Sequence, residues 1–164
     1  MLTIRPATIH DVPLILQFIR DLAAYEREPD AVSATEADLI RDGFGERPEF
    51  RVVIAEWDGE PAGFALFFHN YSTWEGRPGL YLEDLFVRPE FRGKGIGKAL
   101  LVHLARLARE EHCARFVWQV LDWNAPSIAF YESMGARFMQ EWRTMRVEGE
   151  ALQRLAGDPA LDKA

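Results

Sequence analysis

Apolar side chains recur along the chain with two periods, and the switches between them mark its elements. Residues 2–5 are a short β-prone run, and Thr8 with Asp11 three positions on is a helix-start signature. Leu14, Ile15, Phe18, Ile19 and Leu22 then follow helical spacing as far as Glu26. Tyr25-Glu26-Arg27-Glu28-Pro29-Asp30 breaks that helix, and Thr35 with Asp38 opens a shorter one ending near Gly43. A β-rich section comes next. Phe50 to Trp57 is a strand, Asp58-Gly59 is a two-residue hairpin signal, and Gly63 to His69 is its partner. Residues 70–79 are expected to form a loop, and Leu80 to Val87 another strand. After a glycine-rich turn, Lys98 to His112 is a long amphipathic helix carrying Leu100, Leu101, Leu104, Leu107 and Ala108. Phe116 to Leu121 is a strand, Asn124 is a helix N-cap, and Gly135 is the stop. Two short strands and a small helix are expected to finish the domain, with a flexible tail over 157–164.

This order predicts an α/β chain with a mixed sheet and helices packed on it. Its 164 residues, 48% hydrophobic and 27% charged, suit one globular domain over 1–156. The net charge of −7 argues against broad nucleic-acid binding, which rests on Lys and Arg neutralising phosphates. No apolar run reaches the ~20 residues that span a bilayer, so no membrane partner is expected. Cys113 is the one cysteine, which excludes an intramolecular disulfide framework and a cysteine-based structural zinc site. With no signal-peptide pattern at the start, a reducing, cytoplasmic location is expected. His10, His69, His103 and His112 show no ligand spacing such as His-x-x-x-His, so no metal is expected. Cys113 has no sequence neighbour but His112 to activate it as a nucleophile.

Arg92-Gly93-Lys94-Gly95-Ile96-Gly97-Lys98 lies between a strand and a long helix, which is where an anion site forms. Orphan amides at a helix start point outward, and the helix dipole favours negative charge there. Residues 88–98 hold Arg88, Arg92, Lys94 and Lys98 against Glu90, a local +3 within the acidic chain. A Walker A loop is excluded because Ala99, not Ser or Thr, follows Gly97-Lys98. The dinucleotide fingerprint is excluded because Lys98 stands where its third glycine belongs. The alternative is a glycine-rich helix entrance that binds nothing.

The run Arg92-x-x-Gly95-x-Gly97 resembles the pyrophosphate loop of the GNAT superfamily of acetyl-CoA-dependent N-acetyltransferases. Further matches, in order, are Ile4-Arg5-Pro6-Ala7, Leu22-Ala23-x-Tyr25-Glu26, Asp42-Gly43-Phe44-Gly45, Tyr81-Leu82-Glu83-Asp84, Leu121-Asp122-Trp123-Asn124 and Phe130-Tyr131. Together they resemble the diamine (spermidine/spermine) and thialysine acetyltransferase group over roughly residues 3–156.

The resemblance implies a GNAT fold, with a mixed, mostly antiparallel central sheet and helices on both faces. It implies acetyl-CoA as cosubstrate and direct attack by a primary amine of a small cationic metabolite. Such an amine, with a pKa of about 10, must shed a proton first. Glu83 resembles the proton acceptor, acting through water. Its apolar strand neighbours Leu80, Tyr81, Leu82, Leu85 and Phe86 could desolvate it and raise its pKa. The competing reading is a solvent-facing Glu on an alternating strand. By the same resemblance, backbone groups of Leu85, Phe86 and Val87 hold the pantetheine arm and the oxyanion. Tyr131 occupies the general-acid position for the leaving thiolate; without the family a packed core aromatic is the favoured reading. Asn124, also the helix cap, and Ser127 resemble coenzyme contacts. Tyr25, Glu26, Trp74, Glu83 and Asp84 resemble the acceptor pocket, where carboxylates and aromatic faces attract a cation. A solvated charged turn is the alternative for residues 26–30. Tyr71-Ser72-Thr73-Trp74 lacks the acidic residue of the polyamine enzymes, which favours a thialysine-like amino acid or diamine. The resemblance also implies a homodimer, with Glu141-Trp142-Arg143 bordering the partner's site. The rival readings are acetylation of protein lysines or N-termini, and an acetyl-CoA sensor without turnover.

Overall fold

A computed structural model describes residues 1–157. The chain divides into two compact units, Met1–Leu121 and Asp122–Ala164.

In the first unit, strands β1 (Leu2–Pro6), β2 (Arg51–Trp57), β3 (Glu60–Ser72), β4 (Arg77–Val87) and β5 (Phe116–Trp118) form one sheet in sequential order. All neighbours are antiparallel except β4 and β5, which run parallel. Asp58 and Gly59 both take positive φ, 50° and 84°, as a two-residue turn matched to strand twist requires. The loop expected over 70–79 is mostly strand. Ser72 pairs with Arg77, so only four residues turn, and Asn70 and Tyr71 continue the β3 ladder.

Helices α1 (Val12–Tyr25) and α2 (Glu36–Phe44) cover one face of the sheet. The Asp11 carboxylate accepts from Thr8 N–H at 2.7 Å, and a 3-10 turn over Ile9–Asp11 precedes α1. At α2 the capping box closes both ways: Thr35 N–H donates to Asp38 at 2.9 Å, and Asp38 N–H to Thr35 Oγ1 at 3.2 Å. Val12, Ile15, Leu16 and Phe18 of α1 pack with Val52, Ile54, Phe64, Leu66 and Phe86 of the sheet. Phe18 stacks on Phe64 at 5.1 Å, and fully burying such a ring is worth about 1.5–3 kcal/mol. The alternate positions Val53, Ala55, Ala65 and Phe67 point to the opposite face. There they meet helix α3 (Ile96–Glu110), whose Ile96, Leu100, Leu101 and Leu104 are buried.

The second unit contains α4 (Ala125–Ser133) and α5 (Gly149–Ala156). The two short strands expected between them are absent among the described residues: none of 136–148 is in a strand. Likewise the strand expected through Leu121 stops at Trp118, where its pairing with Leu82 ends. The tail expected over 157–164 lies, beyond Gly157, outside the described residues.

Candidate active site

The decisive local feature is a bulge in β4. Leu66 pairs with Asp84, but the next residue, Phe67, pairs with Leu82, so Glu83 is an extra residue with no opposite number. Because a strand alternates faces at period two, one extra residue exchanges the faces beyond it. Leu80 and Leu82 therefore share a face with Phe67, whereas Asp84 and Phe86 lie with Leu66 and Phe64 on the α1 face.

The consequence corrects the expectation for Glu83. It is exposed, while its neighbour Asp84 is turned inward. Burial pushes the Asp84 carboxyl up to about 7, aided by the charges of Glu83 and then Glu26. Glu26, which caps the C-terminus of α1, is also raised, first by burial and then by Glu83. The Tyr81 hydroxyl is raised by burial and by Glu83. Glu26, Glu83 and Asp84 thus form a cluster in which the charges acting on Glu26 and Asp84 are those of other carboxylates.

Beside this cluster a groove of about 440 Å³ is lined by Asp21, Ala24, Tyr25, Phe86, Arg88, Pro89, Glu90 and Arg92. Arg92 lies over the Tyr25 ring at 5.0 Å and over Phe86 at 5.6 Å, and its Nε donates to the Val87 carbonyl at 3.0 Å. The Arg88 guanidinium lies over Phe18 at 5.0 Å and donates to the Pro61 carbonyl at 2.9 Å.

β4 pairs with β5 only from Leu80 to Leu82. β5 ends at Trp118, which leaves the β5 side of Asp84–Val87 without a ladder neighbour. Leu85, Phe86 and Val87 keep their pairing to Ala65, Phe64 and Gly63 on the other side. Next in the chain, Gly93 and Gly95 both take φ of 77°, and Gly95 is the N-cap of α3. A Cβ at either glycine would meet nothing within 4 Å, so the backbone faces open space. The first-turn amides of Ile96, Gly97 and Lys98 belong to a 15-residue helix. This cradle fits a pyrophosphate. Lys94 Nζ rests over Trp57 at 4.9 Å and Phe91 at 5.9 Å, within the same loop.

A model of the Acetyltransferase (GNAT) family matches residues 15–136. The chain belongs to this family. It is 43% identical to the thialysine N-epsilon-acetyltransferase of Sus scrofa, over 94% of this chain and 96% of that protein. It is 38% identical to the human spermidine/spermine N(1)-acetyltransferase-like protein 1, over 93% of this chain and 23% of that protein. Among solved structures, an integron cassette protein from the mobile metagenome of V. cholerae superposes with a TM-score of 0.81 at 30% identity. That match covers 96% of this chain and 98% of the other. The protein is therefore a GNAT acetyltransferase, a family that uses acetyl-CoA as cosubstrate, and its mixed sheet flanked by helices is the GNAT fold.

The remaining candidate residues of this GNAT chain are Trp74, Asn124, Ser127 and Tyr131. Asn124, Ser127 and Tyr131 belong to the second unit. Asn124 is buried and caps α4, its Oδ1 accepting from Ser127 N–H at 3.4 Å. The half-buried Tyr131 ring meets Phe130 at 5.5 Å. Trp74 is 82% exposed at the β3–β4 turn. Seven residues of β4 separate that turn from Asp84, roughly 20 Å at the strand rise, so Trp74 stands apart from the carboxylate cluster of its own first unit. No helix among the described residues is long and apolar enough to cross a membrane.

Proposed function

We propose that the protein transfers the acetyl group of acetyl-CoA to a primary amine of a small cationic metabolite, a thialysine-like amino acid or a diamine or polyamine. The observation that carries this reading is the Glu26, Glu83 and Asp84 cluster, in which the charge of Glu83 raises the proton affinity of Glu26 and of Asp84. Such a cluster is stabilised by a bound cation, and the Tyr25 face adds an aromatic wall. The names of the pig and human relatives support the same substrate class.

An ammonium with a pKa of about 10 must be deprotonated before it attacks. The Glu83 and Asp84 pair receives that proton. Glu83 acts through water at the exposed end of the bulge, and Asp84, titrating near 7, is matched to neutral operation. The unpaired β4 edge at Leu85–Val87 offers backbone donors, and the loop from Arg92 to Lys98 holds the pyrophosphate. Asn124 and Ser127 contribute coenzyme contacts, and Tyr131 returns a proton to the departing thiolate. These roles rest on the family resemblance.

One acetyltransferase domain over 1–156 is supported by a family match that runs across the boundary at 121. We further propose a homodimer. Phe138, Met139, Met145 and Val147 are exposed after α4, apolar surface that a second copy would cover. In such a dimer Trp74, distant from its own Asp84, would serve the partner's pocket. The lone cysteine supports a reducing, cytoplasmic setting.

The deciding experiment measures free CoA release with thialysine, lysine, ornithine, diamines, polyamines and a lysine peptide. Small cationic amines are expected to outpace the peptide. A preference for the peptide would establish protein acetylation instead, and no release with any amine would establish a sensor. As a second arm, Tyr131→Phe is expected to bind acetyl-CoA normally and turn over about 10²- to 10⁴-fold more slowly. An unchanged rate removes Tyr131 from the mechanism.

A further inference from the structure

A second cluster of ionisable groups lies on the other face of the sheet, beneath the C-terminus of α3. His69 of β3 places Nε2 2.6 Å from Glu111 Oε2 and 3.7 Å from Cys113 Sγ. The three potential donor atoms lie within 4.8 Å of one another. Arg51 holds the same carboxylate in a two-pronged pair, 2.7 Å to each oxygen, while its guanidinium rests over Phe67 at 4.9 Å.

The end of α3 is built to turn Cys113 back toward β3. His112 takes a φ of 58°, in the left-handed region where glycine is usual. The amides of His112 and Cys113 then bond to the carbonyls of Arg109 and Ala108 at 3.2 and 2.8 Å, closing a Schellman turn. His69 is fixed by its ladder position opposite Leu80. Two rigid elements therefore present an imidazole, a carboxylate and a thiol to one point.

We propose that His69, Glu111 and Cys113 form a binding site for one zinc-class divalent cation, with water in the fourth position. Zinc bonds of about 2.0–2.3 Å set ligand atoms roughly 3.3–3.7 Å apart in a tetrahedron. The Sγ to Nε2 separation already has that value. The shorter Nε2 to Oε2 contact is a hydrogen bond that coordination replaces, opening it by about 1 Å. On binding, the Cys113 thiol releases its proton to solvent, and the imidazole carries its proton on Nδ1 so that Nε2 faces the metal. Glu111 turns Oε2 to the ion and keeps Oε1 on Arg51, which becomes the outer partner that orients the carboxylate. A thiolate and an imidazole together select zinc over magnesium or calcium, which take oxygen donors.

The test is titration of the chelator-treated full chain with Zn²⁺ alone, against a chromophoric indicator, with Mg²⁺ in parallel. The expected result is one zinc per chain at micromolar concentration or tighter, and no magnesium at the same concentrations. Cys113→Ser and His69→Gln are each expected to weaken zinc binding by at least about tenfold, with His10→Gln unchanged. Substitution with Co²⁺ is expected to give a thiolate-to-cobalt charge-transfer band that Cys113→Ser lacks. Zinc-free acetyl transfer by these variants reports that they are folded. Equal zinc affinity in wild type and Cys113→Ser overturns the site. So does a failure of the wild type to bind zinc below millimolar, or magnesium binding of equal strength.

Discussion

Two groups of carboxylates in the first unit differ in what balances them. On the α1 face, Glu26 and Asp84 are driven up by burial and by neighbouring negative charge. On the α3 face, Glu111 is driven down, chiefly by the Arg51 hydrogen bonds, with His69 adding to the effect. Arg5 does the same for Asp11, which it grips at 2.8 and 2.9 Å and lowers to about 2. A carboxylate with its cation in place is settled by the fold alone. A carboxylate whose neighbours are other carboxylates costs the fold stability, and a cationic ligand is what relieves that cost.

Asp84→Asn breaks this contrast most severely. It is expected to lower kcat/KM for the amine by about 10²- to 10⁴-fold, the usual worth of acid–base catalysis. The limb of the pH profile near 7 should vanish with it; a wild-type profile would show that another group receives the proton. Glu26→Gln removes one attracting charge, so the amine KM should rise by about tenfold, equivalent to about 1.4 kcal/mol. Because Glu26 raises Asp84, the same variant should move the limb to lower pH, which steady-state profiles would detect.

The two groups should also tilt stability in opposite directions. The folded Asp84 carboxyl titrates near 7 against an ordinary 3.8, so the folded state binds the extra proton between those values. Its contribution is full below about 4 and is lost as pH rises toward 7. Asp11, at about 2 against 3.8, contributes above about 4 and is lost as pH falls toward 2. Denaturant titrations across pH should show Asp84→Asn flattening the first slope and Asp11→Asn the second, and not the reverse. The smallest effect belongs to Glu111→Gln. Its partly exposed pair with Arg51 is worth about 1 kcal/mol or less, read as a small drop in the denaturant midpoint with acetyl transfer unaffected.

Much of the fold was legible because it is local. The Thr35 and Asp38 capping box, the Asp58-Gly59 turn and the leucine stripe of α3 each act within a few residues, and each forms as its pattern predicts. The glycine turn before α3 is likewise a local device. The two strands expected after α4 did not form, since a strand needs a partner that its own residues do not name.

The carboxylate site was legible in composition but not in orientation. Sequence places Glu83 and Asp84 side by side on an apolar strand, and strict alternation decides which faces inward only if register is unbroken. The bulge at Glu83 is a property of the β3–β4 pairing, and it gives the buried position to Asp84. His69, Glu111 and Cys113 are a stronger case. They lie 42 and 44 positions apart along the chain, beyond any ligand-spacing rule, and only the packing of α3 on β3 makes them neighbours. Sequence by itself determined the family, the elements and the supply of charged side chains, because these depend on short-range pattern. Tertiary structure decided which charges are balanced, because burial and Coulomb interaction depend on distance in space and not along the chain.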